Sequence, residues 1–194
     1  MHNDTSFPRL VSLACHDLRT PLATVNGFAK TLERTTELPA PADRYVGMIA
    51  AAADQLAELL DELALAARIE GERYEPSLQE RDSLAVARAA AERLGEDRVH
   101  VAGLGAPVRV DPQPVDRGVS ALVQAALRHG GLDEVWVRVD GPVIEVEPIT
   151  ESSSHVVLGQ DLRDLGAAVG LLAIEKLGGS VAVDGSVLRI ALPV

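Results

Sequence analysis

A histidine followed directly by an acid, with a threonine four residues after the histidine, is the part of this sequence best suited to chemistry. These residues are His16, Asp17 and Thr20. Four residues are about one turn of an α-helix, so His16 and Thr20 share one face of such a helix. Asp17 can accept a proton from one imidazole nitrogen and leave the other nitrogen nucleophilic. This arrangement suits a histidine that accepts and releases a phosphoryl group.

Apolar residues recur every seven positions around His16 and predict a long amphipathic helix from about residues 5–8 to residue 36. They form two rows, which are Cys15, Leu22 and Ala29, and Val11, Leu18, Val25 and Leu32. His16 directly follows a row residue, so we expect its ring to reach solvent. Cys15, within a row, is expected to be a small buried side chain rather than a reactive thiol. Pro21 predicts a kink close to His16.

A second apolar helix is expected after residues 37–41, which contain two prolines. It carries three apolar rows, which are Val46, Ala53, Leu60 and Ala67; Ile49, Leu56 and Leu63; and Ala52, Leu59 and Ala66. Such a stripe is wider than one neighbouring helix covers. We therefore expect an antiparallel helical hairpin, two copies of which close into a four-helix bundle in a homodimer. The alternative is a hairpin that packs on the rest of its own chain.

The sequence around His16 resembles the dimerisation and histidine phosphotransfer domain of bacterial sensor histidine kinases. The matching residues are His16-Asp17-Leu18-Arg19-Thr20-Pro21-Leu22, then Val25-Asn26-Gly27-Phe28-Ala29 and Leu32. The resemblance implies that His16 is the phospho-acceptor and that Asp17 acts as a base or orienter. Thr20 would position water when a response regulator is dephosphorylated. The implied partners are response-regulator receiver domains, and the residues expected to contact them are Arg19, Leu22 and Asn26.

Composition limits the remaining possibilities. The chain has 194 residues, of which 47% are hydrophobic, which is enough for one or two domains with a real core. A net charge of −11 argues against nucleic acid and anionic membranes as partners. A single cysteine and no long apolar run predict a cytoplasmic protein without a disulfide or a transmembrane helix. Most relatives carry a membrane or sensory segment before the histidine, so the chain is either a stand-alone unit or a fragment.

A change in composition near residues 68–83 predicts a domain boundary. We expect the helical hairpin in residues 1–72, a linker in 73–80 and a second domain in 81–194. Helices are predicted at residues 84–94, from Asp111 as cap to 128, and from Asp164 as cap to 177; strands are predicted at 99–101, 107–110, 134–139, 142–146, 181–183 and 187–192. This order favours an α+β sandwich with a mostly antiparallel sheet. It also resembles the ATP-binding, Bergerat-type domain of the same kinases.

Four departures from that family pattern predict a degenerate ATP site. Ala125 aligns with the asparagine that holds magnesium, and alanine offers no oxygen to a hard cation. The segment beginning at Glu147 lacks the Asp-x-Gly-x-Gly turn that reads adenine. The lid, residues 150–163, is short. Asp164 and Gly166 align with the phosphate-binding Gly-x-Gly turn, so Asp164 puts a carboxylate where phosphate would lie. We expect no productive ATP binding and no cofactor on this chain.

Three functions are consistent with the sequence. The first is a dimeric histidine phosphotransferase in which His16 exchanges phosphoryl groups with receiver aspartates and the receiver supplies the magnesium. The second is a divergent sensor kinase that autophosphorylates His16 from ATP. The third is a non-enzymatic regulator of a receiver or kinase, and phosphatase activity alone, with Thr20 as key residue, is a related possibility.

The other polar and aromatic residues give weaker signals. His129, at a predicted helix C-terminus, is expected to interact with the helix dipole and terminal carbonyls. His100 and His155 have no second ligand at metal-like spacing, so we expect no structural metal. Trp136 lies on a predicted strand and is expected to pack in the core.

Overall fold

The computed structural model describes residues 6–35 and 38–194, and the chain divides into two compact units, Met1–Tyr74 and Glu75–Val194. The first unit is a hairpin of two long helices, α1 (Ser6–Thr35) and α2 (Ala42–Glu70). Both predicted helices are confirmed, and α1 continues as an α-helix through Pro21. Among the described residues, no helix is both long enough and apolar enough to cross a membrane.

One apolar row of each helix is buried in the hairpin, and this pair of rows forms its seam. The seam consists mainly of small side chains, which are Cys15 and Ala29 of α1 and Ala50, Ala53 and Ala67 of α2. Cys15 is 1% exposed, as expected for a packed side chain. The other rows face solvent in the single chain, since Leu18 is 55% and Leu56 is 52% exposed.

The second unit contains seven strands and four helices among its described residues. They are β1 (Gln79–Asp82), α3 (Ser83–Leu94), β2 (Val99–Gly105), β3 (Pro107–Val110), α4 (Pro112–Gly130), β4 (Val135–Gly141), β5 (Val143–Glu147), α5 (Glu151–Val157), α6 (Leu165–Lys176), β6 (Ser180–Asp184) and β7 (Val187–Ala191). Five strands form a sheet in the order β2-β4-β5-β7-β6, in which β2 and β4 are parallel and the other pairs antiparallel. The predicted α+β class and mostly antiparallel sheet are confirmed.

The core lies between the helices and one face of this sheet. Leu122 of α4, Ile144 of β5 and Leu188 of β7 are fully buried. On β4 the buried residues are Val135, Val137 and Val139. The residue between the first two, Trp136, therefore faces away from the core: it is 48% exposed, and its ring centroid lies 5.5 Å from that of His100. The expectation that Trp136 packs in the core is wrong.

Three local features differ from the sequence-based expectations. The strand β1 was not predicted; it pairs antiparallel with β3 in a separate two-stranded sheet. The helix α5 was not predicted either. The Thr150 hydroxyl accepts a hydrogen bond from the backbone of Ser153, and the Ser153 hydroxyl accepts one from the backbone of Thr150, which forms a capping box. Asp111 occupies the N-cap position of α4 but makes no capping bond to that helix, and its carboxylate instead accepts a hydrogen bond from the backbone of Ser77 at 3.2 Å.

Candidate functional site

The helix α1 presents His16 to solvent next to its acidic neighbour. The His16 side chain is 77% exposed, and its Nδ1 atom lies 3.2 Å from Oδ1 of Asp17. When the ring carries its proton on Nδ1, this contact is a hydrogen bond donated to the carboxylate. The lone pair then remains on Nε2. The geometry thus favours the tautomer in which Nε2 is the nucleophile.

One helical turn beyond the histidine, α1 exposes the side chains of Thr20 and Pro21. Thr20 is exposed, and its carbonyl accepts a hydrogen bond from the hydroxyl of Thr24 at 3.2 Å. Proline has no N–H, so Pro21 removes the helical donor that the carbonyl of Asp17 would otherwise receive. The face of α1 that carries His16 and Thr20 is therefore exposed to water.

The three residues expected to contact a partner all interact with α2 of the same hairpin or pack in it. Arg19 donates from Nη2 to Oδ1 of Asp61 at 2.8 Å. Asn26 donates from Nδ2 to Oδ1 of Asp54 at 2.7 Å, and Leu22 is half-buried. A role of these residues in partner binding stays a prediction.

A lysine joins the contact at Asp54. Lys30 donates from Nζ to the same Oδ1 atom at 2.8 Å. The hydrogen bonds from Lys30 and Asn26 lower the pKa of Asp54 below its usual value, so this carboxylate stays charged at neutral pH. Sequence reasoning missed Lys30, Asp54 and Asp61. The available signal was the seven-residue spacing of the two aspartates, which matches that of Arg19 and Asn26.

In the second unit, the residue that aligns with a magnesium-holding asparagine is part of the core. Ala125 of α4 has no exposed surface and packs among buried apolar residues. Helix α5 packs against both α4 and α6. The helices α4 and α6 also approach closely, since a Cβ added to Gly170 would lie 2.7 Å from the Cα of Gly118. No ligand oxygen or ion can contact Ala125 in this arrangement.

The carboxylate of Asp164 occupies the N-terminus of α6, as predicted. Its Oδ1 accepts a hydrogen bond from the backbone of Ala167 at 3.1 Å. Its Oδ2 lies 3.3 Å from Nη1 of Arg128 and 3.2 Å from Nε2 of His129. The Asp164 side chain is only 10% exposed. A nearly buried negative charge thus satisfies the positive end of α6, where Gly166 lies in the first turn.

The segment after β5 also has a structure different from a glycine-rich turn. Glu147 ends β5 in register with Trp136. Ile149 is buried, and its backbone donates a hydrogen bond to the carbonyl of Ser186 at 2.7 Å. The next residue caps α5, and Ser152 of that helix donates from its hydroxyl to the carbonyl of His129 at 2.8 Å. The backbone of residues 147–151 therefore forms the end of β5 and the start of α5.

The prediction that no nucleotide binds with its magnesium rests on three features of this region. Ala125 provides no ligand, Glu147 stands where an adenine-reading turn would begin, and Asp164 repels phosphate. Within residues 6–35 and 38–194, no three His, Cys, Asp or Glu side chains are grouped so as to hold a metal ion.

Comparison with known proteins assigns the helical hairpin to a domain family. Residues 9–72, which include His16 and both hairpin helices, match the His Kinase A (phospho-acceptor) domain. The crystal structure of full-length ShkA in complex with AMPPNP superposes on 94% of this chain with a TM-score of 0.67 at 21% sequence identity. The match and the likeness in fold support a histidine kinase family protein.

Two further histidine kinases are similar to it. The probable sensor histidine kinase TcrY of Mycobacterium tuberculosis is 28% identical over 115 residues, which are 58% of this chain and 23% of TcrY. Histidine kinase AdeS of Acinetobacter baumannii shares the fold over 91% of this chain and 98% of its own, with a TM-score of 0.54 and 18% identity. The chain covers 44% of ShkA. It therefore spans less than half of the length of TcrY and of ShkA.

Proposed function

We propose that this histidine kinase family protein is a dimeric phosphotransferase, in which His16 exchanges phosphoryl groups with the aspartates of response-regulator receivers and no ATP binds to the chain. The observation that carries the proposal is the position of Asp164. Its carboxylate is 10% exposed and contacts Arg128 and His129 at the α6 N-terminus, the place where a phosphate would be held. Meanwhile His16 remains 77% exposed for a partner protein.

The chemical step follows from the contact between His16 and Asp17. Nε2 of His16 attacks the phosphorus of the receiver's aspartyl phosphate. The N–P bond forms as the acyl O–P bond breaks, and the electron pair of the broken bond leaves on the receiver's carboxylate. Asp17 holds the proton on Nδ1 and stabilises the positive charge that develops on the ring. The receiver supplies the magnesium ion, so the step needs no metal site on this chain.

Hydrolysis of the receiver's aspartyl phosphate gives Thr20 its role. Transfer from phosphorylated His16 to a second receiver follows the same path backwards. In dephosphorylation of a receiver, the exposed hydroxyl of Thr20, on the same face as His16, positions the attacking water. Both reactions use the same polar surface of α1.

Homodimerisation is supported by the apolar surface that the hairpin leaves exposed. On α1 the exposed large apolar residues are Phe7, Leu10, Leu13, Leu18, Val25, Phe28 and Leu32, and on α2 they are Tyr45, Met48, Ile49, Leu56, Leu59 and Leu63. A surface of this extent is unusual for a monomer. A second copy packed on these rows would bury it in a four-helix bundle.

The alternative function, autophosphorylation of His16 from ATP, is favoured by one comparison. The ShkA structure, which shares this fold, holds AMPPNP. This alternative requires the Asp164 side chain to leave the α6 N-terminus and α5 to uncover α4. It predicts saturable nucleotide binding, whereas the phosphotransferase proposal predicts none.

Transfer from a phosphorylated receiver tests the proposal. The chain is mixed with a panel of receivers that have been phosphorylated by acetyl phosphate and freed of it. We expect acid-labile phosphate on the parent chain and none on the His16→Ala variant. The His155→Ala variant removes another exposed histidine and serves as the matched control, which should be labelled like the parent. Labelling that survives His16→Ala, or no labelling by any receiver, would overturn the proposal.

A further inference from the structure

A row of polar contacts connects α1 with α2 and with Arg73, three residues beyond the end of α2, along one side of the hairpin. We call this row the polar ladder and define it by three groups of contacts. Nη2 of Arg73 donates to Oγ of Ser12 at 3.0 Å. Nη2 of Arg19 donates to Oδ1 of Asp61 at 2.8 Å, and Asn26 and Lys30 both donate to Oδ1 of Asp54 at 2.7 and 2.8 Å.

The ladder follows the heptad spacing of both helices. Ser12, Arg19 and Asn26 are seven residues apart in α1, and Asp54 and Asp61 are seven residues apart in α2. The step forward from Arg19 to Asn26 on α1 therefore matches the step backward from Asp61 to Asp54 on α2, as antiparallel helices require. The contacts of the two aspartates therefore favour one alignment of the two helices.

The ladder lies on the side of the seam where His16 is displayed. At about 100° per residue, Arg19 lies about 60° around α1 from His16. Leu18, in the exposed apolar row, lies about 160° from His16 by the same geometry. The polar ladder therefore separates the hairpin seam from the reactive histidine, and the apolar row lies beyond the seam on the other side.

The composition of the seam explains why such contacts matter. Apart from Ile69, its buried residues are small and include Cys15 and Ala29 of α1 and Ala53 of α2. Small side chains interdigitate little, so they resist rotation or sliding of one helix against the other less than leucine or isoleucine would. Polar contacts beside an apolar seam are an established way to specify register. Because the pairs are about half exposed, they contribute little to stability itself.

We infer that Asp54 and Asp61 are positioning residues, which hold α1 at the rotation that directs Nε2 of His16 towards the incoming aspartyl phosphate. This inference rests on the proposed phosphotransfer function. It differs from a docking role, because a docking residue would change the affinity for the receiver, whereas a positioning residue changes the rate once the receiver is bound.

The inference predicts a specific kinetic signature. In the full chain, Asp54→Asn and Asp61→Asn each lower kcat for transfer about tenfold and change KM by less than about twofold. The exchanged pair R19D/D61R restores kcat to within about threefold of the parent, because the ion pair re-forms with its charges reversed. Glu145→Gln removes an exposed ion pair of the second unit, Arg189–Glu145 at 3.0 Å, and leaves both constants unchanged.

A second readout measures the hairpin without using phosphotransfer. Spin labels at Ala23→Cys and Gln55→Cys, in a Cys15→Ala background diluted into unlabelled chain, report the distance between α1 and α2. We expect one narrow distribution for the parent ladder and a broader or shifted one in D54N/D61N. An unchanged distribution, an unchanged kcat, an increase in KM alone, or an exchanged pair no faster than the single variants would overturn the inference. Failure of the proposed function itself is recognised separately, because the parent chain would then receive no phosphate on His16.

Discussion

The Nδ1 atom of His16 lies 3.2 Å from Oδ1 of Asp17, and with the proton on Nδ1 this contact leaves the lone pair on Nε2. Asp17→Asn removes the negative charge that fixes the tautomer and stabilises the phosphorylated ring. We expect single-turnover transfer from a phosphorylated receiver to be slower by about tenfold or more, with receiver affinity unchanged. Asp140→Asn, on the exposed side of β4, is the control and should transfer at the parent rate.

The position of Asp164 at the N-terminus of α6 predicts the response to nucleotide. Titration of the chain with a fluorescent ATP analogue and magnesium should give no saturable signal up to millimolar concentrations. The physical reason is that phosphate would have to displace a carboxylate that Ala167, Arg128 and His129 already contact. Saturable binding in the micromolar range, competed by ATP, would contradict this prediction.

The same carboxylate should also support the fold of the second unit. Asp164→Ala removes the α6 cap and the partner of His129, and we expect it to lower the free energy of unfolding by about 1–2 kcal/mol. Urea denaturation followed by circular dichroism measures the change. The control Asp140→Ala should leave the denaturation midpoint near that of the parent, and an equal effect of the two substitutions would contradict the capping role.

The exposed apolar rows of the hairpin predict the oligomeric state. Light scattering should give the parent chain twice its mass of 20.5 kDa. Leu18→Glu and Leu56→Glu place charges in the proposed dimer interface and should produce monomers. Gln55→Glu adds a charge at an exposed neighbouring position and should remain dimeric. A parent chain that scatters as a monomer at micromolar concentration would contradict the four-helix bundle.

A half-buried carboxylate in the second unit predicts a pH dependence of stability. Burial raises the pKa of Asp116 above its usual 3.8, although Arg81 at 3.3 Å opposes the shift. A raised folded-state pKa means that the stabilising contribution is present below the unfolded-state pKa and is lost as the pH rises through the folded-state pKa. The variant Asp116→Asn carries no ionisable group at this position. The melting temperature of the variant minus that of the parent should therefore increase from pH 3 to pH 7. A gain that shrinks over this range would contradict the assigned direction.

Much of the hairpin was predictable because its information is local. The seven-residue spacing of Cys15, Leu22 and Ala29 identified the seam, and the same pattern showed that α1 continues through Pro21. The capping role of Asp164 was also predictable, since a helix follows it directly. These features depend on residues within a few turns of one another.

Other features depend on distant parts of the chain and could not be predicted in the same way. The strand β1 has no apolar alternation of its own and exists because β3 pairs with it. The contacts of Asp164 with Arg128 and His129 join residues 36 and 35 positions apart. The exposed position of Trp136 was accessible in principle, because Val135 and Val137 on either side of it already indicate which face of β4 is buried.

We propose that a receiver's aspartyl phosphate, and not ATP, donates the phosphoryl group to His16. Parallel incubations test this most directly. One sample of the chain receives radiolabelled ATP with magnesium, and the other receives a radiolabelled phosphorylated receiver with magnesium. Mass spectrometry then locates phosphate on the chain, with His16→Ala as the blank in both samples. We predict phosphate on His16 from the receiver and none from ATP. Phosphate on His16 from ATP would contradict the account and identify the protein as an autokinase.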